Sequence, residues 1–211
     1  RRRPAPPAAP RCTLAPGPDV ESAMASLRFT PLLVAATLAL GACASTRGTD
    51  MLAADAPRAL PDDGRVAVAW TDPAGFTELR RSANRYDAAR GPWLTDLAQH
   101  LRKRAEAALP ANERLELTIV DIDRAGDYEP WHGVALHDTR IMRDIYPPRM
   151  TVQFRRLDAG GKVVAEGERK LIDPSYLMGI QPLNDSDPLR YEKRMIDSWV
   201  RREFADSTAA R

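Results

Sequence analysis

The chain has 211 residues, 28% of them charged, with 31 basic and 29 acidic side chains and a formal net charge of +2. The first 42 residues hold five arginines against two acids. The 169 from Cys43 onward therefore carry 26 basic and 27 acidic residues, without the basic excess that a nucleic-acid partner requires. Cys12 and Cys43 are the only cysteines, so neither a disulfide nor a cysteine-based zinc site is expected in the domain that follows them.

Residues 1–23 are rich in Pro, Ala and Arg, show no apolar period, and read as an upstream extension; Met24 is the expected start. Met24-Ala-Ser-Leu-Arg28 is a short basic segment, and the apolar run that follows to Leu40 is shorter than the roughly 20 residues of a spanning helix. Leu40-Gly41-Ala42-Cys43 then has the form of a lipobox: small residues to enter a protease site, and a thiol to take the lipid. Residues 24–42 are thus read as a lipoprotein signal peptide and Cys43 as the lipidated residue. At about 0.8 kcal/mol per buried CH₂, two or more palmitate-like chains anchor a protein stably where one does not. Ala44 stands where an aspartate would favour the inner membrane, so the expected place is the inner leaflet of the outer membrane, with the domain in the periplasm. Residues 43–64, with Ser45, Gly48, Pro57, Pro61 and Gly64 scattered through them, read as a flexible tether.

A single domain is expected over 65–206. Val66, Val68 and Trp70 alternate as one face of a first strand, which Pro73 ends. Phe76 is expected to tuck back onto the core, and 80–90 reads as a polar loop. Gly91-Pro92 opens a helix with Leu94, Leu97, Leu101, Ala105 and Ala108 on one face, and Pro110 stops it. Leu115, Leu117 and Ile119 alternate along a second strand. The parity then slips to Val120 and Ile122, so the strand either leaves the core or bulges. Residues 124–148 form a connection long enough to be functional or to hide a short element. Met150, Val152 and Phe154 mark a third strand, Asp158-Ala-Gly-Gly161 a hairpin turn, and 162–172 its partner, with Glu166, Glu168 and Lys170 on a solvated face. Residues 173–186 are irregular. Asp187-Pro188 starts a last helix, whose buried stripe is Leu189, Met195, Ile196, Trp199 and Val200. The order β-α-β, long loop, β-hairpin, α implies an α+β fold, a small antiparallel or mixed sheet with two helices on one face. No internal repeat is visible.

The richest chemistry is Asp121-Ile-Asp123-Arg-Ala-Gly126-Asp127-Tyr-Glu129. Four carboxylates around a glycine resemble half of a calcium loop, but Ala125 and His132 stand where oxygen ligands should be. Asp121, Asp123, Asp127 and Glu129 are therefore only a weak metal candidate, and no cofactor is expected. His132 and His137 lack the helical spacing of zinc ligands, and His100 near an apolar stripe reads as packing or surface. Ser175, Ser186 and Ser198 sit in no nucleophile context, so no catalytic residue is assigned. Tyr128, Trp131, Arg140, Arg143, Tyr146 and Arg149 form a candidate binding surface of aromatic and cationic side chains, fit for an envelope protein or a glycan.

Four stretches together resemble an uncharacterised family of proteobacterial lipoproteins and periplasmic proteins, the domain-of-unknown-function 3016 family. They are Val68-Ala-Trp-Thr-Asp-Pro-Ala-Gly-Phe-Thr77, Asp121 to Pro130, Asp144-Ile-Tyr-Pro-Pro-Arg149 and Pro188-Leu-Arg-Tyr-Glu-Lys193. The resemblance implies an envelope location and one domain, and transfers no catalytic residue. The expectation is a membrane-anchored accessory domain that binds an envelope partner. The alternatives are a small-ligand or metal-binding domain, in one version hydrolytic, built on 121–129, and a purely structural envelope protein.

Overall fold

A computed structural model describes residues 51–178 and 186–209, with side chains as far as Phe204. The stretch read as leader, the lipobox-like segment with Cys43, and residues 179–185 of the irregular stretch before Asp187 lie outside the described residues. What is described belongs to one compact unit, Thr46–Arg211. Among the described residues no helix is long and apolar enough to cross a membrane.

The elements are β1 (Val66–Trp70), α1 (Thr77–Arg81), α2 (Arg85–Ala88), α3 (Trp93–Ala108), β2 (Arg114–Asp123), β3 (Asp127–Tyr128), β4 (Arg140–Ile141), β5 (Arg149–Leu157), β6 (Val163–Ile172) and α4 (Arg190–Ala209). Four strands form a mixed sheet in the order β1-β2-β5-β6, and β3 and β4 make a separate two-stranded ribbon. β1 and β2 are parallel because α1 to α3 carry the chain back between them, while β2, β5 and β6 are antiparallel. The architecture is the expected α+β one, with the ambiguity about the sheet resolved as mixed.

The apolar alternation places one face of each strand inside. Val66, Val68, Leu115, Leu117, Ile119, Met150, Val152 and Leu171 meet Leu94, Leu97, Leu101 and Ala105 of α3 and Ile196, Trp199 and Val200 of α4. Full burial of one such aliphatic side chain contributes about 1.5–3 kcal/mol, so these two stripes hold the layers together. His100 belongs to the same seam: its Nε2 lies 2.8 Å from Asp197 of α4, which Arg104 also reaches at 2.9 Å. The sheet's other face is polar, with Arg155 bridging Glu116 at 2.9 Å and Glu166 at 3.5 Å.

Two expectations change, and a third is made specific. The 80–90 segment is not simply a loop: α1 and α2 occupy most of it, with Leu79 buried and the Asn84 side chain accepting from the Asp87 amide to start α2. The stretch read as tether is partly docked. Leu60 N donates to Val68 O at 2.9 Å, Trp70 N to Arg58 O at 2.8 Å, and Leu60 is buried, so 58–60 covers the outer edge of β1. The long connection does contain hidden elements, the β3–β4 ribbon and two short 3-10 turns, Pro130–His132 and Val134–Leu136.

The parity slip in β2 is a bulge: the register with β5 shifts between Ile119 and Asp121. Ile122 returns to the core at 0% exposure, and Thr71 donates its hydroxyl to the Val120 carbonyl at 3.0 Å. The bulge turns Asp121 toward α1, which positions the region described next.

Candidate functional site at the end of the second strand

At its C-terminal end β2 leaves the sheet, and its next three backbone N–H groups need acceptors. Each is met by a different part of the chain. Arg124 N donates to the Glu78 carboxylate of α1 at 2.9 Å. Ala125 N donates to the Glu192 carboxylate of α4 at 2.8 Å. Gly126 N donates to Tyr146 O at 3.0 Å. Glu78 and Glu192 are both buried, so two charged side chains have been taken from water to complete this junction. Gly126 has φ +74, and a Cβ there would stand 2.8 Å from the Ile141 carbonyl oxygen, so both its conformation and its crowding demand glycine.

Arg140 of β4 compensates Glu78. Its guanidinium pairs with both Glu78 oxygens, donates to Gly126 O at 2.7 Å, and lies over the Tyr128 ring at 4.9 Å. Burial alone would depress the Arg140 pKa, but the Glu78 carboxylate outweighs it and raises it. Arg124 is treated differently: burial first, and then the neighbouring Arg140 charge, lower its pKa, and its guanidinium rests over Trp93 at 5.4 Å. Burial raises the pKa of Glu192, with Arg124 acting against it.

The four sequence-predicted acids do not converge. Asp121 accepts from the Thr77 amide and hydroxyl at 2.6 and 2.7 Å, supplying the N-terminal cap of α1 that Phe76 cannot. Asp123 pairs with Arg149 at 3.1 Å, and burial raises its pKa despite that partner. Asp127 accepts from the amide of its neighbour Tyr128 at 2.8 Å. Glu129 is 2% exposed and held by the Tyr146 hydroxyl at 2.9 Å, His132 Nε2 at 2.9 Å and Arg143 at 2.7 Å. The Glu129 hydrogen bond raises the Tyr146 pKa. Among the described residues no group of three His, Cys, Asp or Glu side chains is placed to hold a metal ion.

The aromatic and cationic candidates divide. Tyr128 and Arg140 are packed into the junction, Tyr146 is half-buried, and Trp131, Arg143 and Arg149 reach solvent. Beneath them the Tyr176 hydroxyl donates to Arg143 O at 2.8 Å, and its ring meets Tyr191 edge-on at 4.9 Å. Two hollows accompany this framework. The larger, about 410 Å³, lies on the open sheet face among side chains already paired across strands, such as Gln153 with Glu168 at 3.4 Å. The smaller, about 300 Å³, lies at the junction itself, between Glu78, Arg81, Asp123, Arg124, Tyr146 and Arg149.

Sequence reasoning passed over Glu78, Arg124 and Glu192. One was legible: Glu192 falls three places after Leu189 and four before Ile196, on the apolar stripe of α4, where a charge must be buried and partnered. Glu78 and Arg124 sit in segments without a period and gave no such signal.

The class defined here is a two-layer α+β domain whose bulged second strand is tied at its end to α1, α4 and the 140–149 segment by buried carboxylates. Residues 64–202 match the family described as Protein of unknown function (DUF3016), and the chain belongs to that family. No curated protein and no solved structure matches the chain. The stretches that carry the resemblance are neighbours in space: Thr77 bonds Asp121, Tyr146 and Arg149 bond Glu129 and Asp123, and Glu192 bonds Ala125.

Proposed function

We propose that the chain is a lipoprotein anchored through Cys43 in the outer membrane, and that its periplasmic domain binds an envelope protein through the 130–145 loop. The location rests on the leader: a basic segment, a short apolar run and Leu40-Gly41-Ala42-Cys43. The binding role is carried by one observation. Trp131, Val134 and Ile145 leave 68%, 95% and 68% of their surface in water on a single connection. Apolar side chains clustered in solvent mark interaction sites, and tryptophan is a frequent anchor. The loop's base is fixed through buried Glu129 and the Tyr176 hydroxyl, which lowers the ordering cost of binding.

The test is crosslinking of the full chain in living cells, with labelled palmitate in parallel. Labelling is expected in the native chain and absent in Cys43→Ala. A discrete envelope protein is expected to be captured, and to be lost with Trp131→Ser. Absence of label from the native chain would remove the anchor, and equal capture by Trp131→Ser would remove the loop.

A further inference from the structure

We infer, resting on the anchor proposed at Cys43, that the arginine-rich segment 80–90 binds the anionic headgroups of the leaflet that holds that anchor. Charge is unevenly placed along the chain. Residues 80–90 hold four arginines and one acid, whereas the rest of the chain from Cys43 onward holds 22 basic and 26 acidic residues. Arg80, Arg81 and Arg85 are exposed, and their side chains make no ion pair or hydrogen bond with any described residue. Arg90 lies over the ring of Tyr86 at 5.2 Å, and Tyr86 leaves 73% of its surface in water. The acids that approach the segment have partners of their own. Asp87 takes Arg90 at 3.2 Å and the Asn84 side chain at 2.7 Å, and Asp138 takes His137 at 2.6 Å. Asp123 and Asp127, which share a hollow with Arg81, take Arg149 and the Tyr128 amide.

The occupant follows from where the chain enters the domain. Met51 is buried, and Arg58 donates to its carbonyl at 2.9 Å. Met51, Ala56 and Pro57 line one small hollow with Gly91 and Pro92, the residues that follow Arg90. Met51 lies eight positions after Cys43, a reach of at most about 28 Å. A domain of this length is about 40 Å across, so a lipid at Cys43 keeps the side that holds Met51 and Arg90 toward the bilayer. Anionic headgroups are the nearest partner of opposite sign there, while the net negative remainder of the domain is repelled. The planar fork of arginine matches phosphate, and tyrosine settles at headgroup level. Each arginine near an anionic surface favours contact about fivefold, so the three unpaired ones together favour it roughly 100-fold.

The test uses the chain from Cys43 onward, coupled through that thiol, its only cysteine, to a maleimide lipid in nanodiscs that carry gadolinium-chelate headgroups. Coupling supplies the tether chemically, so the outcome does not depend on lipidation in cells. Missing palmitate would remove the anchor, whereas the nanodisc signals decide the surface. In discs of mixed phosphatidylglycerol and phosphatidylcholine, the backbone amide signals of 80–90 are expected to broaden far more than in pure phosphatidylcholine. Those of β6, at the sheet edge opposite β1, are expected to change little. Replacing Arg80, Arg81 and Arg85 together by Gln is expected to remove the difference between the two lipids, as is about 1 M salt. Replacing Arg155, Arg201 and Arg202 by Gln, the same loss of charge at exposed sites elsewhere, is expected to preserve it. Equal broadening of 80–90 in neutral and anionic discs would overturn the proposal, as would equal effects of the two triple variants. The remaining outcome is that the first triple variant still lies on anionic discs but loses the protein captured through the 130–145 loop. The arginines would then belong to that protein, and the lipid assignment would fall.

Discussion

Glu192 shows how one buried charge makes stability depend on pH. Its pKa is raised by burial, so the folded chain holds its proton more tightly than the unfolded one. The resulting stabilisation is fully present below the unfolded pKa and is lost as pH rises through the raised folded value. Glu192→Gln keeps an oxygen for the Ala125 amide and carries no charge. The variant is expected to match the native domain in acid and to exceed it in stability once pH passes that value, read from denaturation midpoints across a pH series. A native-like pH slope in the variant would show that another group sets it. Gly126 is the second residue of this kind. Gly126→Ala is expected to destabilise by at least the roughly 1–3 kcal/mol of a strained backbone, since its new methyl would also press on the Ile141 carbonyl. A midpoint unchanged in denaturant would mean that the turn relaxes freely.

At the scale of elements, the two edges of the sheet are protected differently. β6 carries Glu166, Glu168 and Lys170, charges that discourage pairing with another chain. Its Arg169 reaches α4 through two 2.9 Å contacts to Glu203. β1 is short and apolar, and residues 58–60 pair with it instead. A chain beginning at residue 64 would keep the whole family-matched region but bare that edge. It is expected to self-associate and to melt lower than a chain beginning at residue 46, as measured by sedimentation and thermal unfolding. Two monomers of equal stability would show that 58–60 contributes nothing. The elements of 65–122 and 149–172 were largely readable because half-buried strands and helices repeat their apolar residues at fixed periods. The helices α1 and α2 were not, since four or five residues are too few to show a period. Their polar side chains are set by Asn84 and Asp121 contacts, and the second of these crosses 44 positions of sequence.

At the scale of the molecule, the proposed binding loop stands apart from the packed core, so recognition and stability can be tested separately. Replacing Trp131 and Val134 by serine is expected to change stability by no more than about 0.5 kcal/mol, because both side chains already stand in water. The same double change is expected to remove partner capture in the crosslinking experiment. A large loss of stability would instead assign those side chains to packing. The sequence by itself determined the α+β class, the two helical stripes, the polar sheet face and the four family stretches, because each is written in short-range pattern. The proposed lipid anchor rests on Leu40-Gly41-Ala42-Cys43, a linear pattern that needs no fold. Only the tertiary structure decided what the acidic run at 121–129 does. Its four carboxylates are answered by Thr77, Arg149, the Tyr128 amide, and Glu129's set of Tyr146, His132 and Arg143. Most of those partners are distant in sequence. Whether a carboxylate binds a metal, caps a helix or neutralises an arginine depends on which groups the fold brings to it, and neither spacing nor composition records that.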